Sequence, residues 1–256
     1  MTDEARTPSP DPTDPADLSG VEPTGQAFIR TVDGLGREEL GAPSLLPGWT
    51  RAHVVAHVAL SGEALAGVLD AVSRHEPVAM YESDARRDAD IDELALADPA
   101  VLRERLLGSR TRFADAVGLM APEHWTGTFD RLPGGPAWPV VTVVSMRRRE
   151  LEIHHADLRT SYTRHDWPAD FCLELMAALT VDQAASGPFR ARATDLGRDW
   201  HVGGEGGPTV MGTAADLGWW LSGRGAGEGL SCDAEALPTL GLWRRASATA
   251  GPTPAQ

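Results

Sequence analysis

Three side chains in this sequence have the types and the spacing of metal ligands. Glu150 and His154 are at positions i and i+4, so on a helix they project from one face, a turn apart. His57, in the run GWTRAHVVAHVAL, can supply a third ligand from a second helix. Two histidines and one glutamate leave a coordination position open, which is typical of catalytic rather than structural zinc. The pattern therefore favours a metal-dependent enzyme.

Two other histidines compete for the same role. His53 lies one turn before His57 on the same helical face, and His155 directly follows His154. Spacing alone does not separate these alternatives.

The helix that carries Glu150 is unusually polar for a core helix. Because burying polar groups without partners is costly, a metal at the centre of a bundle would satisfy several of them. We expect the three arginines at 147–149 to pair with Glu152, Asp157 and neighbouring acids.

Apolar residues at helical spacing predict the elements that must hold these ligands. Four helices are expected, over about residues 22–40, 50–73, 99–120 and 140–159. Charged residues 75–98 and the Pro-Gly-Gly-Pro stretch at 133–136 are expected to be loops. Four amphipathic helices are typical of an antiparallel bundle with a site in its core. The predicted bundle domain spans residues 21–165, after a proline-rich and aspartate-rich tail, residues 1–20, that is expected to be disordered.

The remainder of the chain, residues 166–256, reads as a small α+β domain. A helix is expected at about 169–185 and another at 213–223, capped by Gly223. Residues 189–196 alternate in the manner of a strand, and 201–212 read as a strand with turns. The predicted fold class is therefore mainly α, with a four-helix bundle followed by a smaller α+β domain.

Composition limits the partners and the compartment. The formal charge of −14 argues against nucleic acid or an anionic membrane as the main partner. The sequence has neither a signal-peptide pattern nor an apolar run that approaches the roughly 20 residues needed to span a bilayer. The two cysteines, Cys172 and Cys232, lack metal-site spacing and are expected to be reduced thiols of a cytoplasmic protein.

Four stretches of the chain resemble the mycothiol-dependent maleylpyruvate isomerases, within the wider DinB-like metalloprotein superfamily. They are residues 44–60, 77–91, 145–158 and 212–230, and together they cover both predicted domains. The resemblance implies a DinB-like four-helix bundle with a smaller C-terminal α+β domain. It also implies one zinc ion per chain, held by His57, Glu150 and His154, with His53 structural and His155 adjacent to the site or facing solvent.

The family's activity, by this resemblance, is the isomerisation of maleylpyruvate to fumarylpyruvate in the gentisate route of aromatic degradation. A thiolate that adds reversibly to the carbon–carbon double bond allows rotation, and its elimination then gives the trans isomer. The thiol is the cofactor mycothiol, and a zinc ion would keep its sulfur deprotonated. The position of both cysteines outside the metal motifs agrees with an external thiol.

A dianionic dicarboxylate substrate needs cations. Arg224, in LSGRGAGEG, and Arg87, in YESDARRDADI, match family arginines near the active site, with Arg86 an equal rival to Arg87. Arginine suits carboxylates because its planar fork can bond them bidentately. Trp49, which also matches the family motif, is expected to be a core anchor at the start of a helix.

Two other functions fit the same motifs. One is a mycothiol S-transferase that acts on another electrophile with the same activated sulfur. The other is a metal-binding or ligand-binding module without catalysis.

Overall fold

The structure, a computed structural model, describes residues 14–241. The chain divides into two compact units, Met1–Leu158 and Arg159–Gln256, where the sequence predicts a division after residue 165. Of the predicted tail, residues 1–13 lie outside the described residues. Residues 14–20 form hydrogen-bonded turns, and Leu18 packs against the core of the first unit.

In its described residues, from 14 onward, the first unit contains six α-helices and a short hairpin. The helices are α1 (Val21–Asp33), α2 (Arg37–Gly41), α3 (Arg51–Ser73), α4 (Asp84–Ala95), α5 (Pro99–Gly118) and α6 (Val143–Asp157). Strands β1 (Thr128–Asp130) and β2 (Ala137–Pro139) pair antiparallel between α5 and α6. Helices α1, α3, α5 and α6 form the bundle, as predicted.

Helix α3 is the central element of this bundle and packs against α4, α5 and α6. Val54, Val55, Ala56 and Val58 are all fully buried, so the helix is covered around its circumference rather than along one stripe. It begins at the predicted cap, where the Thr50 hydroxyl accepts from a backbone N–H of the first turn. By length and composition α3 could also cross a membrane, but 72% of its apolar window is buried inside the unit, as in the core helix of a bundle.

Two local predictions are corrected, and the predicted loop at 133–136 is confirmed. The helix expected over 22–40 is broken into α1 and α2, because Gly34-Leu35-Gly36 interrupts it. The charged loop expected at 75–98 contains α4, whose inward face is formed by Arg87, Ile91 and Leu94. The loop at 133–136 is the turn that joins β1 to β2.

The second unit has the α+β character that the sequence predicts. It contains α7 (Ala169–Asp182), β3 (Phe189–Ala193), β4 (Arg198–Val202), β5 (Thr209–Gly212), α8 (Ala214–Leu221) and β6 (Ser231–Cys232). The strands form one sheet in the order β4-β3-β5-β6, in which β3 and β5 are parallel and the outer pairs antiparallel. Helix α7 packs against α8 and against β4.

Candidate metal centre

Helices α3 and α6 bring the three predicted ligands together. His57 Nε2 lies 2.7 Å from Glu150 Oε2, and His154 Nε2 lies 3.3 Å from the same oxygen. Each of the three residues offers one possible ligand atom, and these atoms all lie within 4.8 Å of one another. The imidazoles of His57 and His154 meet edge to face, with ring centroids 4.6 Å apart.

The protonation states of His57 and Glu150 suit a cation. Burial lowers the pKa of His57 to about 4, although the charge of Glu150 acts in the opposite direction. Burial alone would raise the pKa of Glu150, but its interactions with His57 and His154 hold that pKa well below the usual range. At neutral pH the site therefore offers a neutral imidazole and a carboxylate, the forms that bind metals.

Asp157, which the sequence analysis did not assign to the site, orients the third ligand. Its Oδ2 lies 2.9 Å from His154 Nδ1, so Nδ1–H donates to the carboxylate and Nε2 is directed toward Glu150. Carboxylates commonly hold metal-binding histidines in this way. Burial lowers the pKa of His154, but the hydrogen bonds to Asp157 and Glu150 outweigh it and leave the pKa raised. The signal in the sequence is the i, i+3 spacing of a histidine and an aspartate on one helix.

These residues fit a divalent metal. Zn–N and Zn–O bonds of about 2.0–2.1 Å place tetrahedral ligands roughly 3.4 Å apart. The distance of 3.3 Å from His154 Nε2 to Glu150 Oε2 matches that spacing, the distance of 2.7 Å from His57 Nε2 is shorter, and all three donors are buried or mostly buried. Two histidines and a glutamate form the donor set of several catalytic zinc sites.

The rival histidines have other partners. His53 Nδ1 accepts from the backbone N–H of Thr50 and lies 2.7 Å from the Thr50 hydroxyl, which completes a capping box at the start of α3. Its predicted structural role is confirmed. His155 is buried, which contradicts the solvent-facing alternative, and its Nε2 lies 2.8 Å from the hydroxyl of Thr31 on α1. Adjacent residues on a helix point about 100° apart, which separates His155 from His154.

Arg147 differs from its predicted pairing with acids. Its guanidinium is fully buried and Nη1 donates to the carbonyl oxygen of Val58, one residue after His57 on α3. Burial lowers the pKa of Arg147 to about 10, while the charge of Glu150 opposes that shift. A buried cation thus lies next to the ligand-bearing turns of both helices.

Helix α4, the segment before it and the residue after β1 together supply a further group of polar side chains. Arg87 is buried, and its charge acts on the pKa of His57. Its rival Arg86 is exposed and pairs with Asp90 at 2.7 Å. Tyr81 and Arg131 join Arg87 here, and sequence reasoning missed both of them.

Trp49 packs against the core of the first unit, which agrees with its predicted structural role. Its ring lies 5.7 Å from that of His57 and 6.2 Å from that of His53, measured between centroids. It therefore covers one side of the first ligand with an apolar surface.

The remaining predicted residues lie in the second unit. Arg224 follows α8, where its guanidinium lies over the Trp219 ring at 5.7 Å and Nη1 donates to the carbonyl of Ser222. Cys172 is buried, Cys232 is half-buried, and neither forms a disulfide.

The comparisons with known proteins concern both units. A family profile described as the mycothiol maleylpyruvate isomerase N-terminal domain matches residues 21–159. Two crystal structures are similar to this chain, one of the mycothiol-dependent maleylpyruvate isomerase and one of a histidine-to-alanine mutant of it. Each has 25% sequence identity and a TM-score of 0.79, over 88% of this chain and 95% of the other. No curated protein matches the sequence.

Proposed function

The chain belongs to the mycothiol maleylpyruvate isomerase family, and from this premise we propose that it is a zinc-containing, mycothiol-dependent isomerase that converts maleylpyruvate to fumarylpyruvate. The observation that carries the proposal is the cluster of His57, Glu150 and His154, whose donor atoms come from two helices and lie within 4.8 Å of one another. This cluster gives the protein a place to hold a metal with a free coordination position.

In the proposed reaction, mycothiol would supply the thiol, and a bound zinc ion would keep its sulfur deprotonated near neutral pH. The residues of the chain would hold the metal ion and orient its ligands. His57, Glu150 and His154 would bind the ion, and Asp157 fixes the tautomer of His154 through the 2.9 Å contact at Nδ1. Trp49 and the surrounding apolar residues of α3 exclude water from the ligands.

The substrate carries two carboxylates, and arginines are proposed to bind them. Arg87 acts electrostatically on the ligand cluster, which supports a role at the site. Arg224 remains a prediction from the family resemblance. Mycothiol and this small dicarboxylate are the proposed partners, in the cytoplasm and in the gentisate route.

The experiment incubates the zinc-loaded protein with maleylpyruvate, with and without mycothiol, and follows the loss of substrate absorbance together with the products. We expect fumarylpyruvate to form only when mycothiol is present. A zinc-depleted sample is the matched control and should be inactive. Accumulation of a stable thiol conjugate would instead assign the protein as a mycothiol S-transferase. If neither fumarylpyruvate nor a conjugate forms, the protein is a metal-binding or ligand-binding module without catalysis.

A further inference from the structure

Two guanidinium groups of the first unit lie over a single aromatic ring. The Cζ atom of Arg87 is 5.8 Å from the centroid of the Tyr81 ring, and that of Arg131 is 5.5 Å from it. Both distances are within the range of a cation–π interaction. The ring thus holds two cations on one small surface of a protein whose net charge is −14.

Backbone pairing fixes this arrangement. The N–H of Tyr81 donates to the carbonyl of Arg131 at 3.1 Å, and the N–H of Met80 donates to that of Asp130 at 2.8 Å. The Asp130 N–H in turn donates to the carbonyl of Val78. The segment before α4 is therefore paired with the end of β1, and the ring and Arg131 are held together by the main chain.

The two arginines already have a carboxylate between them. Asp84 Oδ1 accepts from Arg131 Nη1 at 2.9 Å and lies 4.0 Å from Arg87 Nη1. Arg131 Nη2 is buried and has no hydrogen-bond partner in the described part of the chain. A buried donor without a hydrogen bond costs free energy, so this nitrogen is a favourable position for an acceptor oxygen of a ligand.

The same group is electrostatically linked to the metal ligands. Burial raises the pKa of Tyr81, and among the charges the largest contribution is that of Glu150, which also raises it. Arg87, Arg131 and Arg147 act in the opposite direction on that hydroxyl. The tyrosine therefore lies within reach of the charge of Glu150 as well as of the two arginines.

We propose that Arg87 and Arg131, over the ring of Tyr81, bind one carboxylate of the substrate. The inference rests on the proposed function and adds Arg131 and Tyr81 to the site. Arg131 Nη2 would donate to that carboxylate, Arg87 would add a second positive charge beside it, and the Tyr81 ring holds both guanidiniums next to each other. A thiol cofactor without a carboxylate gains nothing from such a pair, so this subsite is specific for the substrate.

The test is the binding of maleate, an unreactive dicarboxylate, to the zinc-loaded protein by isothermal titration calorimetry. In Arg131→Ala we expect the Kd to rise by about 10-fold or more, which is the effect of removing a charged hydrogen bond. Arg131→Lys should recover part of the loss, and Tyr81→Phe should keep the affinity because the ring remains. Arg74→Ala is the matched control, since Arg74 is an exposed arginine of the same unit that pairs with Glu76.

Several outcomes would overturn this assignment. They are an unchanged Kd in a folded, zinc-loaded Arg131→Ala protein, no maleate binding to the wild type, and binding of sulfate as tight as that of maleate. Thermal unfolding and zinc content of each variant identify misfolding, in which case Arg131→Lys and Arg131→Gln decide the matter. Maleate binding needs no turnover, so Arg131-dependent binding without isomerisation would refute the proposed function alone. Isomerisation that is normal in Arg131→Ala would refute this inference alone.

Discussion

Two histidines on the same face of α3, one turn apart, have different tasks. His53 Nδ1 accepts a hydrogen bond from the backbone N–H of Thr50 at the helix start, whereas His57 Nε2 lies in hydrogen-bond contact with Glu150 of α6. What separates them is the opposite helix, because α6 presents a carboxylate only to His57. The contrast gives a matched pair of variants.

Metal analysis of His57→Ala and His53→Ala tests the ligand assignment. His57→Ala should lose the bound zinc, because only two protein ligands remain. His53→Ala should retain it and lose about 1 kcal/mol of stability with the capping interaction. Zinc loss in the second variant but not in the first would show that the assignment is reversed.

The pKa shifts give zinc binding a defined pH dependence. Since the pKa of His154 is raised, it takes up a proton at a higher pH than an ordinary histidine, and that proton must leave before Nε2 can bind a metal. His57, with a pKa of about 4, stays neutral throughout this range. Zinc affinity should therefore fall as the pH is lowered, beginning with the protonation of His154.

Asp157→Asn separates orientation from charge in the same titration. Loss of the carboxylate should weaken zinc binding about 10- to 100-fold near neutral pH, because the imidazole is less firmly oriented and less basic. The acid-induced loss of zinc should begin at a lower pH than in the wild type, since the partner that raises the pKa of His154 is gone. A competitive zinc chelator measured across pH reports both effects, and an onset at an unchanged pH would contradict this account.

At the scale of elements, the junction of α3 and α6 depends on one glycine. A Cβ on Gly62 would lie 2.8 Å from Cζ of Arg147, whose guanidinium is buried and bonded to the carbonyl of Val58. Gly67, on the same helix, has nothing within 4 Å of such a Cβ.

Gly62→Ala should therefore lower the free energy of unfolding by about 1–3 kcal/mol, because the buried guanidinium must move. Gly67→Ala should raise it by up to about 1 kcal/mol through helix propensity alone. Urea unfolding of both variants measures the difference. Equal effects would mean that Arg147 repacks without cost.

The elements of the bundle could be predicted where apolar periodicity is strong, as in α3 and α5. Helix α4 was missed because Ile91 and Leu94 are the only large apolar residues on its buried face, and its third buried position is Arg87. The break between α1 and α2 follows from glycines whose effect depends on tertiary packing. A sequence therefore indicates which segments can form helices better than it indicates the residue at which a helix ends.

The same limit applies to the candidate site. Glu150 and His154 are related by spacing on one helix, and spacing is visible in a sequence. Tyr81 and Arg131 meet only through the pairing of the segment before α4 with β1, which no local pattern indicates. Arg87 and Arg86 could be distinguished only when the face of α4 was known.

At the scale of the whole molecule, the proposed chemistry uses a sulfur that the chain does not supply. Cys172→Ala and Cys232→Ala, singly and together, should keep most of the mycothiol-dependent activity. Both cysteines lie in the second unit, and none of the three clustered donors is a cysteine. Loss of turnover in a folded, zinc-loaded variant would refute the external-thiol mechanism.

Arg224 tests what the second unit adds. We expect Arg224→Ala to lower kcat/KM by about 10²-fold, which corresponds to roughly 2.7 kcal/mol, by removing a cation for a dianionic substrate. Zinc content should not change, because the predicted ligands all belong to the first unit. Arg224→Lys should rescue only in part, since an ammonium does not reproduce a bidentate contact. Near-normal turnover in Arg224→Ala would remove this residue from the proposed site.

His57 and Glu150 are 93 residues apart along the chain and 2.7 Å apart in the folded protein. An unfolded chain that gripped one ion with both ligands would have to close that loop, at an entropic cost of about 4 kcal/mol. Denatured molecules therefore compete poorly for the ion, and nearly all of its binding free energy is expressed as resistance to unfolding. Each tenfold rise in free zinc above the dissociation constant adds about 1.4 kcal/mol. The melting temperature of this protein would then act as a gauge of the zinc supply in its surroundings.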